Sequence, residues 1–148
     1  MGSWLCRLGP AAALAGGSAL TAAAESVLRI GNMGEPQSLD PHKVAGTWEN
    51  RIIGDMFMGL TTEAADGSTI RGAAESWTVS DDGLTYTFKI REHLWSDGKP
   101  VTADDFVYAL RRILDPKRAA KYAFILYPIA GAKAFNKGET SDPATIGA

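Results

Sequence analysis

The sequence predicts a mixed α+β fold, and three neighbouring patterns carry the prediction. Leu84, Tyr86, Phe88 and Ile90 alternate with Thr85, Thr87 and Lys89, the period of two that sets apolar side chains on one face of a half-buried strand. Ser80-Asp81-Asp82-Gly83 divides this strand from residues 77–79. Its acids can bond local amides and its glycine accepts positive φ, so the two strands form a hairpin. Beyond them, Thr102 precedes Phe106, Val107, Leu110, Ile113 and Leu114 at helical spacing, and Asp105 is placed to complete a capping box.

From the amino terminus, residues 27–30 read as a short strand and 31–41 as a loop. Thr47 is placed to cap a helix running through Trp48, Ile52, Ile53, Met56, Phe57 and Leu60, one apolar stripe expected in the core rather than on a ligand. Residues 63–72 form a polar connection with a short strand at 68–70, again a hairpin. Trp95-Ser96-Asp97-Gly98 is a turn, and Asp115-Pro116 ends the helix that Thr102 begins, because proline disfavours helical geometry in the preceding residue. A second helix is expected over 119–126, a third over 130–137 with Gly138 as its stop, and a mobile tail after it.

The first 24 residues differ from the rest. Arg7 is their only charged side chain, an Ala, Leu and Gly run follows it, and Ala22-Ala23-Ala24 offers small residues for cleavage, so residues 1–24 read as a secretory signal peptide. Cys6, the single cysteine, precedes the apolar run and so does not stand where a lipidated cysteine would. Cleavage would leave a cysteine-free chain whose formal charge falls from −2 to about −3.

Composition excludes several functions. The densest basic cluster, Arg111, Arg112, Lys117, Arg118 and Lys121, is balanced in sequence by Asp104, Asp105 and Asp115, which reads as a solvated helix face and not a nucleic-acid site. Asp81-Asp82 and Asp104-Asp105 suit turns and caps better than paired acid/base catalysis. His42 and His93 lack partners at metal-ligand spacing, and no nucleophile elbow or phosphate loop is present. No catalytic residue, metal or cofactor is expected.

Several ordered motifs carry more than composition does. Glu35-Pro36-Gln37-Ser38-Leu39-Asp40-Pro41-His42, Gly59-Leu60, Ala74-Glu75-Ser76-Trp77, the run from Trp95 to Val107 and Asp115-Pro116 together resemble the extracellular solute-binding proteins of peptide ABC importers, the oligopeptide-binding protein family. The resemblance implies the amino-terminal part of a type II periplasmic-binding-protein fold, with residues 25–60 starting the first ligand-binding lobe and 61–148 forming a small additional lobe cut at its carboxyl end. It implies a periplasmic subunit that captures oligopeptides or dipeptides and delivers them to membrane permease subunits, monomeric when complete. A chain cut in this way is not expected to be binding-competent alone. Gly46, Thr47, Trp48 and Tyr122 are the ligand-facing residues it implies. Tyr122, beside Phe124 and Tyr127, also suits a core position. Two other readings stand beside it, a small α+β interaction module and a relative that carries a nickel complex or haem.

Overall fold

The computed structural model describes residues 27–148, so the signal peptide expected over residues 1–24 lies outside the described residues. Residues 27–30, expected as a strand, carry none. Strand geometry depends on ladder hydrogen bonds, and the described ladders join other segments.

From Asn32 onward the chain builds one helix, two antiparallel hairpins and a carboxyl-terminal helical layer. Helix α1 is Thr47–Met56, and its cap residue is Gly46, not Thr47. It stops at Met56 because Phe57 turns extended, which takes Phe57 and Leu60 off the expected stripe; Ile53 is buried, whereas Met56 and Phe57 are exposed. The extended exit brings two carbonyls to the next strands: Gly59 O accepts from Ala73 N at 2.8 Å, and Leu60 O accepts from Gly72 N at 3.1 Å and Ala74 N at 2.9 Å. At Gly72 a Cβ would overlap the Gly59 carbonyl, so only glycine lets the segments cross here.

Strands β1 (Thr61–Glu63) and β2 (Thr69–Arg71) form the first hairpin, and β3 (Ala74–Val79) and β4 (Tyr86–Ile90) the second. The second follows the expected turn: Gly83 has φ +72°, and Asp82 Oδ1 accepts from Leu84 N at 3.0 Å. Trp77 faces Phe88 across the ladder with ring centroids 6.4 Å apart, the kind of cross-strand pair that stabilises a sheet. The apolar face is shorter than expected, since Leu84 lies before the strand begins at Tyr86 and both residues are exposed; Phe88 and Ile90 are the half-covered positions.

Helix α2 is Ala103–Leu114 with Thr102 at its cap, and the Asp105 carboxylate accepts from Thr102 N at 2.8 Å, as the motif predicts. A 3-10 turn at Pro116–Arg118 follows, and Asp115 Oδ1 accepts from Lys117 N at 2.9 Å. Ala119 then adopts left-handed backbone at φ 51°, which breaks the helix expected over 119–126 and leaves only the 3-10 turn Ala123–Leu126. Helix α3 is Ala132–Asn136, shorter than expected at both ends. The tail is not loose. Pro143–Thr145 forms a turn capped by Asp142, Ile146 is buried, and Gly147 N donates to Ala130 O at 2.8 Å.

Leu114, Ala123, Ala132, Phe135 and Ile146 are the buried members of one core, with Ile113, Ala120, Leu126 and Ile129 against it. Polar groups close around it in series. Tyr127 Oη donates to Asn136 Oδ1 at 2.8 Å, and Asn136 Nδ2 donates to Leu114 O at 2.8 Å, satisfying one of the carbonyls that a helix end leaves without a partner. This layer fixes the position of α2, whose Arg112 reaches back towards the 37–49 segment.

Candidate ligand cleft

Two anchors shape the 37–49 segment. Glu49, in the first turn of α1, is buried, and its two oxygens accept from Gly46 N at 2.7 Å and Gln37 N at 3.1 Å. A carboxylate here also meets the positive end of the helix. Arg112 supplies the second anchor: Nη1 donates to Asp40 Oδ1 at 2.8 Å and Nη2 to Asp40 Oδ2 at 2.6 Å, a two-point pair with both side chains about one-fifth exposed. Arg112 Nη1 also donates to His42 Nδ1 at 2.7 Å, which makes that nitrogen the acceptor and puts the imidazole proton on Nε2. Arg112 is therefore a structural clamp, not part of the solvated basic face expected from sequence.

The clamp moves two pKa values down. Arg112 holds Asp40 well below the usual carboxylate range, and burial, then the Arg112 charge, lowers His42 from its ordinary 6.5. Both groups bind fewer protons folded than unfolded, so each contributes stability that is complete above its unfolded pKa and is lost as pH falls. Urea unfolding across pH is expected to show a loss beginning below about 6.5, from His42, and a further loss below about 4, from Asp40. The turn and cap carboxylates Asp66, Asp82, Asp97 and Asp105, also lowered, add to the second loss. Arg112→Gln should cost about 2 kcal/mol at neutral pH and make the remaining profile flatter. An unchanged profile in that variant would show that the clamp contributes nothing.

Between the anchors lies an open cavity of about 460 Å³, lined by Gln37, Ser38, Lys43, Val44, Ala45, Gly46, Trp48, Glu49 and Lys121. Of the residues implied by resemblance, Gly46 and Trp48 line it; Thr47 is exposed on the first turn of α1 and does not. Tyr122 is outside the lining but reaches its wall, with Oη donating to Ala45 O at 3.4 Å, and its ring leans on Phe124 with centroids 6.0 Å apart. Tyr122 is exposed, so it is not a core residue. Trp48 Nε1 is buried and has no acceptor among the described residues. The sequence did not single out Lys43 or Glu49, and it placed Lys121 only in the basic cluster expected on a solvated helix face. Glu49 could have been found as the acid three residues after a cap, whereas Lys121 had only its position next to Tyr122.

Comparison with known proteins places the chain. Residues 69–146 match the family described as bacterial extracellular solute-binding proteins, family 5 Middle. The chain is 48% identical over 98 residues to the periplasmic oligopeptide-binding protein OppA of Haemophilus influenzae, covering 66% of this chain and 18% of that protein. It is 43% identical over 116 residues to the dipeptide-binding protein DppE of Bacillus subtilis, covering 78% and 21%. The crystal structure of Haemophilus influenzae OppA in complex with the peptide RPPGFSPFR superposes with a TM-score of 0.72 at 41% identity, over 76% of this chain and 22% of that one. The chain thus spans about a fifth of the length of these relatives. Its mixed α+β architecture is a part of their fold, as the sequence motifs implied.

Proposed function

Because the chain belongs to the bacterial extracellular solute-binding proteins of family 5, we propose that it forms one wall of a peptide-binding cleft in the periplasmic substrate-binding subunit of an ABC importer. The carrying observation is the meeting of the 37–49 segment with residues 121 and 122, which lie far apart in sequence and frame one open, polar-lined cavity. An extended peptide satisfies its backbone groups on such a wall, while a roomy cavity accepts varied side chains. In this reading Gly46 and Trp48 touch the ligand directly, and Tyr122 covers it from the side. Thr47 contributes at most its backbone. The subunit hands its peptide to membrane permease subunits, and hydrolysis of nucleotide belongs to a separate component.

His42 argues against a nickel complex or haem as the ligand, because Arg112 donates to its Nδ1 and so keeps the ring proton on Nε2, leaving neither nitrogen a lone pair for a metal. The relatives are named as oligopeptide- and dipeptide-binding proteins, and Asp82 and Asp105, one from each adjacent pair of acids, act here on a turn and a cap. The test is a nuclear magnetic resonance titration of the chain with a pool of short peptides. Shifts are expected at the Trp48 indole N–H and at the amides of residues 37–49, in fast exchange because one wall alone binds weakly. Tyr122→Ala should weaken binding about fivefold, equivalent to roughly 1 kcal/mol. The same response to a disaccharide, or no response to peptide, would sink the reading.

A further inference from the structure

The carboxylates nearest the cleft are already committed. Asp40 is held at two points by Arg112, and Glu49 uses both oxygens on backbone amides. Lys43 and Lys121 line the same cavity, and neither forms an ion pair among the described residues, where the pairs are Lys89–Glu75, Lys99–Asp97 and Arg112–Asp40. The balance expected from Asp104, Asp105 and Asp115 is not realised as contacts. Asp105 accepts from Thr102 and Trp95, Asp115 from the amide of Lys117, and Asp104 stands exposed on α2. Two lysines therefore line a polar cavity whose only acidic lining residue is the committed Glu49.

We propose that this cleft takes a carboxylate of its ligand, paired with Lys43 and Lys121. An ammonium on a flexible stem makes charge-assisted hydrogen bonds without demanding one approach geometry, which suits ligands of varied length. Ser38 and Gln37, on the same lining, can add neutral hydrogen bonds. The carboxylate belongs to an acidic side chain or to the free carboxyl terminus of a peptide; the chemistry is shared. This inference rests on the peptide reading for the remainder of the ligand, but not for the anion itself.

The experiment is a resonance titration of the 148-residue chain with four probes. They are glutarate, a doubly capped alanine-glutamate-alanine peptide, its glutamine counterpart, and an acetylated trialanine with a free carboxyl terminus. At least one carboxylate-bearing peptide is expected to bind about tenfold tighter than the glutamine peptide, the size of one charge-assisted hydrogen bond. Whichever gains identifies the source of the carboxylate. The preference should vanish in the Lys43→Gln/Lys121→Gln double variant, survive in the Lys43→Arg/Lys121→Arg variant, and weaken with salt. Both lysines are exposed, so the Trp48 indole resonance should report an intact fold in each variant. Equal affinity for all three peptides would overturn the inference and leave the peptide reading standing. A lysine-dependent response to glutarate with none to any peptide would do the reverse. A charge preference that persists in the double glutamine variant, or silence with every probe, overturns it.

Discussion

Leu114→Ala is expected to lower stability by about 3–4 kcal/mol, the largest effect of any single truncation in the described chain. Leu114 is fully buried at the end of α2, and the residues around it come from three later segments: Ala123 from the 123–126 turn, Ala132 and Phe135 from α3, and Ile146 from the tail. Removing its methyl groups forfeits their transfer free energy and leaves a cavity that these neighbours cannot all collapse into, because Asn136 ties the Leu114 carbonyl in place. Against a typical total of about 5–15 kcal/mol, that is a large fraction. Thermal unfolding should shift down by about 10–15 °C, while Leu114→Met, close in volume, should cost under about 1.5 kcal/mol. Equal melting of the alanine variant and the parent would mean that the core does not close as described.

Glu49→Ala should rank second, at about 3 kcal/mol. The side chain is buried and accepts from two backbone amides, so its removal strands Gly46 N and Gln37 N together, each a donor to a charged acceptor worth about 1.5–3 kcal/mol gross. Glu49→Gln keeps one oxygen and should lose roughly half as much. The readout that separates this from general destabilisation is local. Hydrogen exchange at Gly46 and Gln37 should speed up in both variants, whereas the β3–β4 ladder should stay protected. Uniform loss of protection would contradict the role given to Glu49.

What sequence made legible was local. The Ser80–Gly83 turn, the Thr102 cap with Asp105 and the stop at Asp115 each depend on residues within a few positions, and each took the expected form. Departures arose where a distant partner decided. Helix α1 ends early because the Gly59 and Leu60 carbonyls are needed by residues 72–74. The tail packs because Ile146 finds the α3 core, and Arg112 leaves the solvated face because Asp40 lies opposite it. For the cleft, motif resemblance supplied Gly46, Trp48 and Tyr122; the lysines were invisible because nothing in local spacing says which acids are already occupied. Only pair geometry identifies a cation left over.

The clamp also sets a timetable for synthesis. Asp40 and Arg112 stand 72 positions apart, so the Asp40 carboxylate, which locally meets the His42 amide, lacks its guanidinium partner until α2 has emerged. Closing so long a loop is entropically unfavourable before contacts reward it, whereas the β3–β4 turn and the Thr102 cap can form as soon as they emerge. The nascent 37–49 segment must therefore wait, with its Asp40 and His42 in water, while later and more local structure forms ahead of it. The proposed binding wall, which depends on so late a pairing, is not assembled while the emerging chain is shorter, and a chain stalled before residue 112 would present residues 37–49 without the clamp that holds them.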